Sequence, residues 1–312
     1  MRAARLLLAA LLPFEHTRSR RANAGFDATC ATSLHEPLLQ QLVQVIFNTG
    51  MLQNGSVVDC GAHKGGEACY FAELDPMRVV HAVEPIPDNL NDIKQRYGNR
   101  TNLQPLHGGL GSVERTVELG AMRRTKTMLV GVSEAPSAKN PSSSSSFQVH
   151  RLDGLFERVW HDERLAFGHF DVEGSELDLL QGATATIRRD RPVITVELNV
   201  LRTEPTSNIM AMLHSLDYHV LLVPEQCGLN CDCRNVICVP KERPATKALL
   251  NRTLPLNPST KASMEDLQSD LQACVLLGRK DKNKARACAL ELVGESWLRR
   301  AKDRARESRS AG

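Results

Sequence analysis

Ten residues, Val57-Val58-Asp59-Cys60-Gly61-Ala62-His63-Lys64-Gly65-Gly66, restrict the fold more than any other stretch of this chain. A short apolar run ends in an acid. A turn of small residues follows, and Glu67-Ala68-Cys69-Tyr70-Phe71-Ala72 then reads as a helix. A buried strand feeding a glycine-rich turn and a helix binds nucleotide-sized ligands at the carboxyl edge of a parallel sheet. The spacing is D-x-G-x-x-x-G and not the G-x-G-x-x-G of a dinucleotide site. A second strand, Arg78–Val83, ends in Glu84-Pro85. An acid at that place sits beside the first turn and can accept both hydroxyls of a ribose.

Strand and helix signals then alternate. Leu38, Leu39, Leu42, Val43 and Ile46 have helical spacing ahead of the first strand, and Gly50 supplies the stop. Helices are expected over 87–97, 152–160, 175–189 and 208–216, and strands over 103–106, 165–171 and 193–197. Thr116–Leu119 reads as one arm of a hairpin. Residues 220–223 and 236–239 read as a final antiparallel pair. Such alternation implies a doubly wound, mostly parallel α/β sheet covered on both faces. The expectation is a seven-stranded Rossmann-like sheet with an antiparallel edge hairpin.

Three domain assignments follow. Residues 1–24 read as a signal or transit peptide, because Arg2 and Arg5 precede the apolar run Leu6–Leu12. That run is too short to span a bilayer. The assignment implies the secretory pathway or the extracellular space, with an organelle as the alternative. Residues 25–240 form the catalytic domain. Residues 241–312 form a basic helical extension in which Met264, Leu267, Leu271, Cys274 and Val275 share one helical face. The Ser-rich stretch Ala135–Ser146 reads as a surface loop.

Charge narrows the class of partner. Residues 1–25 carry five Arg against one Glu, and residues 241–312 carry 16 Lys and Arg against nine Asp and Glu. With a net charge of +3 for the whole chain, the stretch between them is about eight charges negative. An acidic core is poorly suited to a polyanion, so no nucleic-acid substrate is expected. Four of the nine cysteines crowd together at Cys227, Cys231, Cys233 and Cys238, in a spacing that is not a zinc pattern. Disulfides are expected there, while Cys60 and Cys69 are expected to fill core.

The first turn and the acid after the second strand resemble the S-adenosylmethionine (SAM) site of class I methyltransferases. The segment Asp171-Val172-Glu173-Gly174-Ser175-Glu176-Leu177-Asp178-Leu179-Leu180-Gln181-Gly182-Ala183 is similar to the D-V-E-G-x-E-x-x-L-x-G-A signature of FkbM-type SAM-dependent methyltransferases. Val58–His63, Ala82–Pro87, Arg151–Leu155 and Pro192–Glu197 resemble further blocks of that family, in family order, within about 55–240. Two positions depart: His63 stands where the family usually has Asn, and His169 where it usually has Lys.

The resemblance implies SAM as cofactor and a hydroxyl on a sugar, glycan or secondary metabolite as acceptor. Candidate cofactor contacts are Asp59, Gly61, Ala62, His63 and Gly65 in the first turn, Glu84 and Pro85 after the second strand, and Gly109 after the third. Gly61 and Gly65 are expected to open space for the methionine end, Asp59 to hold its ammonium and Glu84 to take the ribose. Asp171 is the candidate for accepting the acceptor's proton. His169 shares its strand face by period-two alternation and is the second candidate catalytic residue. No metal is expected. The alternative reading is a catalytically inactive protein of the same fold that binds SAM or another nucleoside.

Overall fold

The computed structural model describes residues 30, 36–118, 146–199, 203–223 and 233–256. The targeting segment, most of the Ser-rich loop, Cys227, Cys231 and the C-terminal helices lie outside the described residues. In chain order the elements are α1 (Pro37–Asn48), β1 (Ser56–Cys60), α2 (Gly66–Leu74), β2 (Val80–Glu84), α3 (Pro87–Tyr97) and β3 (Leu103–His107). Then come β4 (Gly109–Leu110), β5 (Arg115–Glu118), β6 (Ser146–His150), α4 (Leu152–Arg158), β7 (Leu165–Phe170), α5 (Glu176–Gly182), α6 (Thr184–Asp190) and β8 (Val193–Asn199). The last are α7 (Thr203–Ser215), β9 (Tyr218–Leu222), β10 (Cys233–Pro240), α8 (Lys247–Arg252) and β11 (Leu254–Leu256).

The main sheet runs β3-β2-β1-β7-β8-β10-β9-β11. Strands β3 to β8 are parallel, and β10 inserts antiparallel between β8 and β9. This is the doubly wound sheet with an antiparallel strand near one edge. It has eight strands and not seven, because β11 adds antiparallel to β9. Three residues are too few to show a period, which is why the sequence does not reveal β11. The arm at Thr116 belongs to a separate three-stranded sheet, β4-β6-β5, held by Val117, Phe147 and Val149.

Alternation along each central strand feeds two cores. Val58 and Cys60 of β1 face one with Leu152 and Leu155 of α4, Leu179 of α5, Ile187 of α6 and Leu213 of α7. Val57 faces the other with Leu42 and Ile46 of α1, Phe71 of α2 and Ile93 of α3. Each such Leu or Ile contributes about 1.5–3 kcal/mol by leaving water. Among the described residues, no helix is long and apolar enough to cross a membrane.

Three expectations need correction. The helix foreseen over 175–189 is broken at Gly182–Ala183 into α5 and α6. A Cβ at Gly182 would lie 2.0 Å from the Gly111 carbonyl oxygen, so the helix passes in contact with another backbone. The Thr184 hydroxyl donates to the Gln181 carbonyl at 2.9 Å and helps close the first segment. Cys69 does not merely fill core, for it forms a disulfide with Cys30 across a Cα–Cα distance of 5.6 Å. Cys238, expected to be oxidised, is a free and fully buried thiol, while Cys233 is disulfide-bonded. Strand β10 carries Cys238 into the apolar core.

The Cys30–Cys69 bridge closes a loop of sequence separation 39. Its loss is expected to lower stability by about 2–4 kcal/mol. Urea unfolding of the Cys30→Ser variant against the oxidised wild type measures this, and an unchanged midpoint would remove the bridge from the folded state.

Candidate active site

The three parallel strands β1, β7 and β8 pair in register, so one row of the sheet reads Asp59, His169, Thr195. Period-two alternation places Gly61, Asp171 and Glu197 on the same face one pleat nearer the carboxyl edge. The site therefore grows from three strand ends.

Strand β1 leaves the sheet through a turn with two left-handed glycines, Gly61 (φ 87°) and Gly65 (φ 79°). At both glycines the space a side chain would take is already filled by protein. A Cβ at Gly61 would lie 1.7 Å from the backbone oxygen of Asp171. One at Gly65 would lie 2.9 Å from the Ile93 side chain and 3.2 Å from the Tyr97 ring. Gly61 thus lets the ends of β1 and β7 touch, and Gly65 lets α2 start against α3. The Gly61 and Ala62 N–H groups both donate to the Val83 carbonyl, at 3.1 and 3.2 Å.

His63 adopts φ 48°, in the left-handed region where both His and Asn are enriched. Its backbone N–H donates to Glu84 Oε2 at 2.8 Å. Glu84 Oε1 accepts from the Ile86 N–H at 2.8 Å and from Asn89 Nδ2 at 3.2 Å. Glu84 therefore laces the first turn to the start of α3 before any ligand arrives. Burial raises its pKa. Pro85 is buried, and its carbonyl meets His107 Nε2 at 3.0 Å. Gly109 opens β4 and packs 3.0 Å, measured from an added Cβ, from the Phe147 ring. It belongs to the small sheet and not to a free turn, though the neighbouring Gly108 N–H donates to the Glu84 carbonyl at 3.2 Å.

Asp59 is 1% exposed, and its Oδ2 is a buried atom with no hydrogen-bond partner. Burial, followed by the charges of Glu67, Asp171 and Glu84, raises its pKa well above the usual carboxylate range. Asp171 Oδ1 is likewise buried without a partner. An unmade bond of this kind costs about 1–3 kcal/mol in an unliganded protein. Two of them on one sheet face mark a place where a ligand completes the structure.

His169 is buried, bonds through Nδ1 to Thr195 Oγ1 at 2.7 Å and stands edge-on to Phe71. Burial lowers its pKa, against a smaller opposing pull from Asp171, and keeps the ring neutral. Thr195 and Phe71 fix the ring one pleat below the strand end.

Two residues were not foreseen. Glu67, in the first turn of α2, has its pKa pushed up to about 7 by burial and by the Asp171 charge. Glu197 stands beside Asp171, and burial together with the charges of Asp171, Glu173 and Glu176 raises its pKa strongly. Oxygens of Asp171, Glu176 and Glu197 lie within 4.8 Å of one another. Glu176 is occupied otherwise, because one of its oxygens accepts from the Val172 and Gly174 N–H groups at 3.1 and 2.9 Å. It shapes the loop after β7. The alternation that placed His169 with Asp171 also places Glu197 two residues past Thr195, so the signal was present in the sequence.

Residues 59–220, from the acid of β1 into β9, match the methyltransferase FkbM domain. The chain belongs to the FkbM methyltransferase family. A search of curated proteins finds no match. Among solved structures, the chain is similar to the methyltransferase FkbM from Methylobacillus flagellatus KT, at 16% identity and a TM-score of 0.42. That similarity covers 62% of this chain and 47% of the other, so this chain spans about half its length. It is also similar to Aeropyrum pernix fibrillarin in complex with natively bound S-adenosyl-L-methionine, at 14% identity and a TM-score of 0.40. There it covers 65% of this chain and 74% of the other. The FkbM match spans the whole constellation of Asp59, Glu67, Glu84, His169, Asp171 and Glu197.

Proposed function

We propose that this FkbM-family chain binds SAM at the carboxyl edge of β1 and β2 and transfers its methyl group to a hydroxyl of a sugar, glycan or other small molecule. The observation that carries this reading is the pair of orphaned buried oxygens, Asp59 Oδ2 and Asp171 Oδ1, within a cluster of acids. SAM carries an ammonium and a sulfonium, and a cationic ligand relieves the mutual repulsion that raises the Asp59 pKa. The donor set fits the group. Asp59 holds the ammonium of the methionine end. Glu84 already binds three donors, which leaves about one lone pair to accept from a ribose hydroxyl.

SAM supplies a methyl group activated towards nucleophiles. The residues of this chain do the rest. Asp171 accepts a hydrogen bond from the acceptor hydroxyl and takes its proton as the oxygen is methylated. His169, neutral and pinned by Thr195, packs beneath Asp171 and fixes its approach. The acidic stretch 26–240 favours a neutral or cationic acceptor over a nucleic acid. The Cys30–Cys69 bridge supports a home in an oxidising compartment, consistent with the signal-like N-terminus.

Transfer of labelled methyl from SAM to a panel of glycans and hydroxylated metabolites tests the reaction. Labelled product on at least one hydroxyl is expected. SAM binding with no product across the panel would favour an inactive binder. Glu84→Ala tests the cofactor site. Each lost charge-assisted bond costs at most about 1.5–3 kcal/mol, so SAM affinity is expected to fall at least about tenfold. Unchanged affinity would remove Glu84 from the site.

A further inference from the structure

The carboxyl pair at the ends of β7 and β8 does more than add negative charge. Asp171 and Glu197 leave adjacent parallel strands on one face, with carboxylate oxygens within 4.8 Å of each other and Glu197 8% exposed. Two buried carboxyls this close repel when both are ionised, and one must hold a proton to donate to the other, because an ionised carboxylate only accepts. The groups facing Glu197 decide which one. From β7 and its loop come Asp171, Glu173 and Glu176, all acidic. On its own strand stands Thr195, bonded to the neutral His169. Across the sheet, β10 presents Asn235, whose Nδ2 donates to Glu36 Oε2 at 2.8 Å ahead of α1. On the far side of Asp171 are Asp59 and Glu67. None of these groups supplies a positive charge to Glu197.

We infer that Glu197 carries a proton shared with Asp171 and donates it to that carboxyl, which leaves the unpartnered Oδ1 of Asp171 for the acceptor hydroxyl. Glu197 is then a positioning residue for methyl transfer. The inference rests on the function proposed above. It also explains why Asp171 Oδ1 has no protein partner. The loop N–H groups of Val172 and Gly174, which could have satisfied it, are taken by Glu176. When the acceptor proton arrives on Asp171, the pair can hold both protons as two neutral acids until one leaves to solvent. No proton is created or lost in that step, and no other reactant is needed.

The test compares the full-length wild type with Glu197→Gln and Glu197→Ala. A glutamine still donates to Asp171 but cannot ionise, whereas an alanine does neither. Infrared difference spectra between acid and alkaline solution read the proton without any acceptor. The wild type is expected to retain a protonated-carboxyl absorption at pH 8 that Glu197→Gln lacks. Asp59→Asn identifies the separate contribution of that raised acid. With an acceptor from the panel, Glu197→Gln is expected to keep turnover within about threefold at neutral pH and to lose the wild-type fall at alkaline pH. Glu197→Ala is expected to lose at least about thirtyfold. An unchanged carboxyl absorption in Glu197→Gln would overturn the inference, as would equal damage from Gln and Ala. A rise in wild-type melting temperature with magnesium or manganese, lost in Glu197→Gln, would make the cluster a cation site and also overturn it. Failure of the wild type to bind SAM would instead overturn the proposed function, and the infrared spectra would still decide where the proton sits.

Discussion

Asp171→Asn is expected to cut turnover at least about a hundredfold while SAM affinity stays within about threefold. The asparagine keeps the size of the side chain and its place at the end of β7, but it cannot take a proton. Removal of a positioned base is worth about 10²–10⁴-fold. His169→Gln is expected to cost less, because His169 is buried one pleat below, bonded to Thr195 and packed on Phe71. On the proposed reading, its effect is expected to pass through packing and not through the acceptor. Single-turnover kinetics with SAM titrations on the same variants separate the two effects. A small loss in Asp171→Asn beside a large one in His169→Gln would reverse the assignment.

Gly61→Ala is expected to destabilise the fold by more than about 3 kcal/mol and to abolish turnover. Two causes add. The backbone at φ 87° disfavours any side chain, and the new methyl would sit 1.7 Å from the Asp171 carbonyl oxygen. That contact is with backbone, so no side-chain rotation relieves it. The strand ends must separate, which breaks the Asp171 N–H bond to the Cys60 carbonyl at 3.1 Å and moves the Asp171 side chain. Gly50→Ala is the control. Gly50 has φ 69° with nothing within 4 Å of an added Cβ, so its cost is limited to backbone strain of about 1–2 kcal/mol. Equal costs for the two variants in urea unfolding would show that the β1–β7 contact does not matter.

The parallel sheet was legible because its buried strands are short apolar runs punctuated by glycine and acids, as at Val57–Gly66. The pairing of His169 with Asp171 followed from alternation alone. What the sequence concealed depends on contacts between distant segments. Gly61 and Gly65 announced a special backbone, but only the fold shows that Asp171, Ile93 and Tyr97 take the space beside them. The break between α5 and α6 arises from the approach of Gly111, which no local period encodes. Cys69 looked like a core residue because its partner, Cys30, lies 39 positions earlier. Glu197 was visible as the end of an apolar strand, yet its meaning came only when β8 was set beside β7. His63 reads differently once its φ is known. The turn needs a residue that tolerates the left-handed region and offers a backbone N–H to Glu84, and His meets both needs.

Isothermal titration of SAM into the full-length protein is the most direct measurement of the central claim. Saturable, one-to-one binding is expected, with an affinity that falls at least about tenfold in Asp59→Asn because the buried acid then loses its charge-assisted bond to the ammonium. Absence of saturable binding in the folded wild type, or wild-type affinity in Asp59→Asn, would contradict the assignment of this strand edge as the cofactor site.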